Sequence, residues 1–343
     1  GGATDLLAAA SAVQASQDNE QASPKEERPS VTRQPTGTGN TGHAMSNMSQ
    51  SELTDYSLTQ EELGWAGTDC EVLREMKGFK EHLRTAGGPF ESIEMERYVA
   101  KGTAGWVFQV RRKSTGERVA LKLIRMTQVR SGIKEWYVSK LMREEGLANI
   151  VFTDETSYVL ERSTAPDIVQ QELKDAGPVP YYVCFVQEFV DGGTLEGLAQ
   201  DGKLTPPMLL QAMEGVAATL AKLHERNIAH RDMKPENVLV KMQGDALAAV
   251  KLCDFGRAEI GDSPQARADD VRRFGVTLFS LATGEGWTAN RLIHEDHGSL
   301  VERLGEAAAA SGRSELQALP KVLQKILDGG LEMSQVLSLF QGL

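Results

Sequence analysis

The sequence predicts an α+β fold of two lobes, in which a β-rich lobe with one main helix precedes a mostly helical lobe. Two observations lead to this class. Short segments with the composition and alternation of strands come first. After Asp191-Gly192-Gly193, long segments with apolar residues at helical spacing follow. Two lobes of unlike class joined by a hinge enclose a cleft, and a ligand is expected to bind there.

Length and composition divide the chain into three parts. Its 343 residues suffice for about two domains or one larger two-lobed unit. Residues 1–56 are rich in Ser, Thr, Gln, Asn, Gly and Pro, so a disordered low-complexity leader is predicted. Residues 57–89 are predicted to be a helical N-terminal extension that docks onto the main domain. The main domain is predicted over 90–343, with its lobes at 90–189 and 190–343.

The elements follow from hydrophobic spacing and from turn residues. Within the extension, a short helix is predicted after a capping box at Ser57 with Gln60 or at Thr59 with Glu62. A second helix is predicted from apolar residues at Val72, Leu73, Met76, Phe79 and Leu83. In the first lobe we expect one helix at 132–145 and strands at 91–100, 105–113, 117–126, 150–153, 158–161 and 181–189. In the second lobe we expect helices at 206–225, 269–283, 314–327 and 331–340.

Composition excludes several classes of function. The 37 Lys and Arg residues against 48 Asp and Glu residues give a net charge of −11, which argues against binding a nucleic-acid polymer or an anionic membrane. No segment approaches the roughly 18 apolar residues of a membrane span. Cys70, Cys184 and Cys253 are too far apart in sequence to indicate a disulfide framework or a zinc site. A soluble, cytoplasmic protein is predicted.

Two segments carry acidic and amide side chains suited to phosphoryl transfer. HRDMKPENVLV begins at His230 and KLCDFG begins at Lys251, so that Asp254 follows Asp232 by 22 positions. Phosphoryl transfer needs oxygen ligands for Mg²⁺, a carboxylate near the attacking hydroxyl and cations at the phosphates. The two segments resemble the catalytic loop and the D-F-G motif of eukaryotic-type protein kinases, at that family's spacing. The resemblance covers roughly residues 90–343 and implies a bilobal protein-kinase-like fold.

The resemblance assigns a role to each motif residue and implies ATP and Mg²⁺ as cofactors. Asp232 would orient and deprotonate the acceptor hydroxyl, and Lys234 would lie against the transferring phosphoryl group. Asn237 and Asp254 would hold Mg²⁺.

A glycine-containing turn lies between the first two predicted strands. AKGTAGWV resembles the family's glycine-rich loop with Ala100 at the first glycine, and VALK resembles the strand that carries the phosphate-binding lysine. Taken alone, the two glycines are equally typical of a plain hairpin. The resemblance assigns ATP contacts here to Ala100, Gly102, Gly105, Val107, Ala120 and Lys122.

Lys122 requires a carboxylate partner, and three glutamates of the next helix are candidates. Glu135 is followed by apolar residues at helical spacing and is favoured, although its interval of 13 residues from Lys122 is short for the family. Glu144 and Glu145 lie near the predicted end of the helix, where a solvated position is expected.

The last strand of the first lobe resembles the segment that receives adenine. By position Gln187 is the gatekeeper residue, and the backbone of Glu188 and Val190 would bond to the base. Thr194 occupies the position at which many kinases carry an acidic ribose partner. A buried strand followed by a turn describes the same residues equally well.

The activation segment departs from the family pattern. Asp270 follows Asp254 by only 16 positions, no A-P-E motif is present, and Arg272 replaces the tryptophan of the D-x-W-S-x-G motif. The segment has one hydroxyl, that of Ser263, so activity without activation-loop phosphorylation is predicted, with Glu259 and Asp262 supplying negative charge near Arg231. Secreted bacterial effector kinases have similarly short segments, which suggests a protein delivered to a host cell.

The resemblance implies an active serine/threonine-protein kinase with a protein substrate and a regulatory protein partner. Lys234 favours Ser/Thr acceptors by that resemblance. Two alternatives stay open: a nucleotide-binding pseudokinase scaffold, and a small-molecule kinase with a kinase-like fold, which the missing peptide-docking shelf favours.

Overall fold

A six-stranded sheet forms the first lobe. The computed structural model describes residues 83–84, 88–102, 105–125, 128–177, 179, 181–286 and 289–343. The strand order is β1-β5-β6-β4-β3-β2, and every pair is antiparallel except β1 and β5. The strands are β1 (Leu83–Arg84), β2 (Ile93–Lys101), β3 (Gly105–Arg112), β4 (Arg118–Arg125), β5 (Thr153–Glu161) and β6 (Tyr181–Glu188).

Strand β1 corrects part of the predicted N-terminal extension. Leu83 was expected in a helix, yet Leu83 and Arg84 pair with Ser157 and Tyr158 at the edge of the sheet. An edge strand has unpaired backbone groups, and a neighbouring segment in extended conformation satisfies them. The predicted leader and the remaining helical residues of the extension lie outside the described residues.

The predicted strand at 150–153 is also corrected. Strand β5 begins only at Thr153, and Ile150 instead forms an isolated bridge with Leu252 of the second lobe. The backbone N–H of Val151 donates to the Leu252 carbonyl at 2.8 Å. Ile150 and Val151 are therefore buried because they connect the two lobes. From sequence alone, their apolar character is equally typical of a buried strand in the sheet.

The main helix of the first lobe, α1 (Val129–Glu144), packs on one face of the sheet. Short helix α2 (Asp167–Glu172), which the sequence analysis did not predict, contributes to an apolar cluster on the opposite face. That cluster includes Trp106, Val169 and Tyr182. Strand register places Val107 opposite Lys122 and Lys122 opposite Phe185, so their side chains share one face of the sheet.

The second lobe is mostly helical, as predicted. Its helices are α3 (Leu195–Gln200), α4 (Pro206–Glu225), α5 (Pro264–Thr283), α6 (Ala289–His294), α7 (His297–Ser311), α8 (Leu319–Leu327) and α9 (Met333–Gln341). The helix predicted at 314–327 is divided into a 3₁₀ turn and α8, because Pro320 begins a new helix more readily than it continues one. No helix among the described residues is long and apolar enough to cross a membrane.

Two small two-stranded sheets lie in the second lobe. Strand β7 (Ile228–Ala229) pairs with β10 (Glu259–Ile260), and β8 (Val238–Gln243) pairs with β9 (Ala246–Leu252). The loop between β7 and β8 carries the HRD motif, and the turn after β9 carries the DFG motif. The four strands thereby hold both motifs at the same edge of the second lobe.

Candidate active site

The loop between β7 and β8 brings three predicted site residues together. The Lys234 ammonium lies 3.2 Å from the Asp232 carboxylate. Asn237 Nδ2 donates to the Asp232 backbone oxygen at 2.7 Å and to its carboxylate at 3.1 Å. These contacts orient the carboxylate of Asp232, a residue that is only 8% exposed.

A buried aspartate of α5 fixes the conformation of this loop. Asp270 is 0% exposed and accepts hydrogen bonds from the backbone N–H groups of His230 and Arg231, each at 2.7 Å. Its carboxylate also lies 2.9 Å from His224 Nε2. Arg231 has φ = +66°, a left-handed conformation that is costly for a residue other than glycine. The bonds to Asp270 stabilise that conformation.

Lys122 lies between two carboxylates at the back of the cleft. Its Nζ atom is 2.5 Å from Glu135 Oε2 and 3.6 Å from Asp254 Oδ1. Burial alone would lower the pKa of Lys122, but Glu135 and Asp254 outweigh that effect and raise it. Lys122 in turn lowers the pKa of Asp254 against the effect of burial. Both groups are therefore ionised at neutral pH.

The structure brings Glu135, rather than the other two candidate glutamates, to Lys122. Glu135 is 3% exposed in the middle of α1. Glu144 and Glu145 are exposed at the end of that helix, and Glu145 pairs with Arg226 of the second lobe.

Asp254 occupies a left-handed turn beside Lys122. Its φ of +61° follows β9 and precedes the 3₁₀ turn Phe255–Arg257. The Phe255 ring packs on the His230 ring with centroids 4.7 Å apart, which connects the DFG turn to the HRD loop. A Cβ atom on Gly256 would lie 2.0 Å from Ser131 Oγ of α1, so this turn also fits closely against the helix.

The glycine-containing turn joins β2 and β3, and its two glycines have different environments. The Gly102 N–H donates to the Gly105 carbonyl at 2.8 Å. A Cβ atom on Gly105 would lie 1.8 Å from the Leu123 carbonyl oxygen, whereas one on Gly102 would have no neighbour closer than 4.0 Å among the described residues. Gly105 is therefore required by sheet packing, whereas a small side chain at Gly102 would meet none of the described residues. Ala100 pairs with Val107 at the base of this turn.

The remaining predicted nucleotide residues lie along β4, β6 and the hinge. Ala120 pairs with Gln187, so both side chains face the cleft side of the sheet with Lys122. Val190 is half-buried in the segment before α3. Thr194 is the N-cap of α3 and accepts a hydrogen bond from the Gly197 N–H at 3.0 Å, so helix capping already engages its hydroxyl oxygen.

Arg231 is paired within the short activation segment. Its Nη1 atom lies 2.6 Å from Glu259 Oε2, and its Nε atom lies 3.6 Å from Asp269. Glu259 thus supplies the predicted negative charge, whereas Asp262 pairs with Arg267 at 2.9 Å. The Ser263 hydroxyl caps the start of α5.

The sequence analysis missed two carboxyl groups beside the catalytic loop. Burial, assisted by Glu236 and opposed by Lys234, raises the pKa of Glu196 to about 7. Burial likewise raises the pKa of Glu236. The position of Glu236 between Lys234 and Asn237 could have indicated from sequence that it lies at the site. No residue next to Glu196 in the sequence indicates that its carboxyl group is buried there. The sequence analysis also did not predict that Arg257, at 3.7 Å, approaches Asp232.

Comparison with known proteins agrees with the geometry. Residues 93–299, more than half of the chain, match the protein kinase domain. The chain is 29% identical over 208 residues to CBL-interacting serine/threonine-protein kinase 19 of Arabidopsis thaliana, covering 59% of this chain and 38% of the relative. It is 32% identical over 220 residues to mitogen-activated protein kinase kinase 9 of the same plant, covering 56% of this chain and 64% of the relative.

A bacterial relative gives a similar result. Serine/threonine-protein kinase PkaA of Streptomyces coelicolor is 30% identical over 234 residues, which cover 59% of this chain and 41% of that protein. The chain belongs to the protein kinase family, and the predicted family and two-lobed α+β fold are confirmed. It spans between about two fifths and two thirds of the length of these three relatives.

Proposed function

We propose that this chain is an ATP- and Mg²⁺-dependent protein kinase that transfers the γ-phosphoryl group to Ser or Thr hydroxyls. The carrying observation is the buried contact of Lys122 with Glu135 at 2.5 Å, with Asp254 3.6 Å from the same ammonium. A pseudokinase scaffold does not require this assembled arrangement. The proposal includes a protein substrate, a regulatory protein partner and a cytoplasmic location.

Each side chain has a distinct task in the proposed reaction. Asp232 orients the acceptor hydroxyl and accepts its proton as the acceptor oxygen bonds to the γ-phosphorus. The bond from that phosphorus to the bridging oxygen breaks, and ADP leaves. Lys234, 3.2 Å from Asp232, neutralises charge on the transferring group, and Lys122 positions the other phosphates.

The residues present fit Mg²⁺. Asn237 uses Nδ2 for both side-chain bonds to Asp232, so its Oδ1 oxygen is not consumed by them, and Asp254 supplies an ionised carboxylate. Mg²⁺ takes about six oxygen ligands, so two protein side chains leave places for phosphate oxygens and water. No group of three or more His, Cys, Asp or Glu side chains among the described residues forms a separate metal site. When bound, the ion would neutralise phosphate charge.

The proposed activity does not depend on phosphorylation of the activation segment. In kinases switched by phosphorylation, a phosphate orders the loop through an arginine. In this chain the corresponding arginine, Arg231, already pairs with Glu259, whose carboxylate lies 2.6 Å from Arg231 Nη1. Backbone pairing of Glu259 with Ala229 holds the carboxylate at the loop that carries Arg231.

A transfer assay with radiolabelled ATP and Mg²⁺ tests the activity. The wild type is expected to label protein substrates, and Asp254→Ala is expected to be inactive while remaining folded. Equal labelling by the two proteins would refute the assignment. Phosphatase-treated protein freed of the phosphatase, and the Ser263→Ala variant, are both expected to retain the initial rate; a loss of more than about tenfold in either would reveal a phosphorylation switch.

A small-molecule kinase is the second candidate, and the short segment favours it. Only three residues connect the end of β10 to Pro264, where helix α5 begins. Little chain is therefore available for a peptide-docking shelf. The same assay on panels of proteins and small hydroxyl compounds separates the two functions, because labelling confined to small compounds would overturn the proposed protein substrate.

A further inference from the structure

A chain of buried polar side chains connects the gatekeeper position to α1. Its members are each no more than 8% exposed: Lys122, Glu135, Ser139, Thr153 and Gln187. Buried polar groups of this kind specify a structure when all are paired and destabilise it when some are not.

Gln187 is the centre of this network. Its Nε2 atom donates to Glu135 Oε1 at 2.8 Å and to Thr153 Oγ1 at 2.9 Å. The other oxygen of Glu135 contacts Lys122 at 2.5 Å. Both carboxylate oxygens therefore have partners, and the amide of Gln187 fixes the rotation of the group that holds the lysine.

The same face of α1 is bonded to the beginning of β5 at two further points. The Thr153 N–H donates to Ser139 Oγ at 2.6 Å, and Arg143 Nη2 donates to the Thr153 carbonyl at 3.0 Å. Glu135, Ser139 and Arg143 are spaced by four residues, so they lie one above another along the helix. Three successive turns of α1 are thereby connected to Thr153 and Gln187.

We propose that Gln187 is a positioning residue that holds α1 where Glu135 can pair with Lys122. An outward shift of α1 would separate Glu135 from the Gln187 amide and Ser139 from the Thr153 N–H group, and leaving these buried donors without their partners costs free energy. The inward position is then the stable one without a phosphate on the activation segment or a bound activator. This inference rests on the proposed kinase function for its catalytic consequence, but the attachment of α1 is a property of the folded protein alone.

Two variants and a matched control test the inference. Gln187→Met keeps a similar length and volume but removes both donors, and Thr153→Val removes one acceptor. Ser157→Ala is the control, because Ser157 lies in the same strand, is 0% exposed and has a hydroxyl without a hydrogen-bond partner among the described residues. Gln187→Met is expected to lower kcat about tenfold, with KM for ATP changed less than about threefold. Thr153→Val should act in the same direction but less, and Ser157→Ala should retain the wild-type kcat.

Hydrogen exchange provides a readout that does not depend on catalysis. The backbone amides of α1 are expected to exchange faster in Gln187→Met and Thr153→Val than in the wild type and in Ser157→Ala. Unchanged exchange in both variants would overturn the inference. So would a kcat within twofold of wild type together with a KM for ATP raised about tenfold, because Gln187 would then only line the nucleotide pocket.

The two proposals fail separately. If the wild type transfers no phosphoryl group but α1 still loosens in the variants, the kinase function is wrong and the positioning role stands. If Gln187→Met does not fold, Thr153→Val decides the result, since valine has nearly the shape of threonine.

Discussion

Replacing Asp270 by asparagine is expected to destabilise the protein strongly. The two carboxylate oxygens accept the His230 and Arg231 N–H groups at 2.7 Å each, and the residue is 0% exposed. An asparagine amide has only one acceptor oxygen, so one buried N–H group loses its partner and faces another donor. Leaving a buried donor unpaired costs about 1–3 kcal/mol, and loss of the charge weakens the remaining bond as well.

The expected cost is therefore about 3 kcal/mol, or roughly 6–12 °C in melting temperature at about 2–4 °C per kcal/mol for a domain of this size. Activity should fall as well, because the Asp270 bonds stabilise the left-handed conformation of Arg231, next to Asp232. Thermal denaturation followed by circular dichroism measures the first effect, and the labelled-ATP assay measures the second.

Asp269→Asn is the matched control. Asp269 is the neighbouring aspartate of the same helix and contacts Arg273 at 2.8 Å and Arg231 at 3.6 Å, with 29% of its side chain exposed. Such partly exposed pairs contribute about 0–1 kcal/mol, so a change of at most a few degrees is expected. A melting temperature for Asp270→Asn within about 2 °C of that for Asp269→Asn would refute the role assigned to Asp270.

Three further predictions concern the cleft. Asp232→Asn should lower turnover by about 10²- to 10⁴-fold with ATP affinity retained, as measured by steady-state rates and calorimetry; near-normal turnover would contradict the role of Asp232 as base. Gly105→Ala should lower the melting temperature because its Cβ would lie 1.8 Å from the Leu123 oxygen, whereas Gly102→Ala should not; equal melting temperatures would contradict this. Since burial raises the pKa of Glu196 from 4.5 to about 7, the folded state binds this proton more tightly and stability should fall as pH rises through that interval. Glu196→Gln should remove this part of the slope, which melting temperatures at about pH 5 and pH 8 would show.

Local signals in the sequence were sufficient to predict several helices, strands and motif residues. Helix α4 has the predicted bounds, Pro206–Glu225, because Thr205 precedes a proline in the first turn and the apolar periodicity continues to the end. The HRD and DFG motifs predicted the catalytic residues as a set, since phosphoryl transfer constrains both residue type and spacing. Strands β2, β3 and β4 were predicted for an equally local reason, because segments rich in apolar residues are bounded by turn residues such as Ser114-Thr115-Gly116.

Helices α3, α6 and α7 were not predicted, and the helix predicted at 314–327 is divided. Three further elements were misread because another part of the chain decides them. Leu83 has the spacing of a helix but pairs with Ser157, and Ile150 has the composition of a strand but bridges to Leu252. Helix α2, with six residues, is too short for a periodic signal and is stabilised by the apolar face of the sheet that it covers.

The sequence by itself determined which family's chemistry the chain carries, and the tertiary structure decided which side chains hold that chemistry in place. Glu135 was one of three candidates for Lys122 until the packing of α1 on the sheet selected it. Gln187 and Glu135 are 52 residues apart, and nothing in either local sequence indicates that they bond. Likewise, Glu259 rather than Asp262 reaches Arg231 because β10 pairs with β7. Hydrogen bonds and ion pairs depend on distances of a few ångströms between segments remote in sequence, and only the folded packing determines those distances.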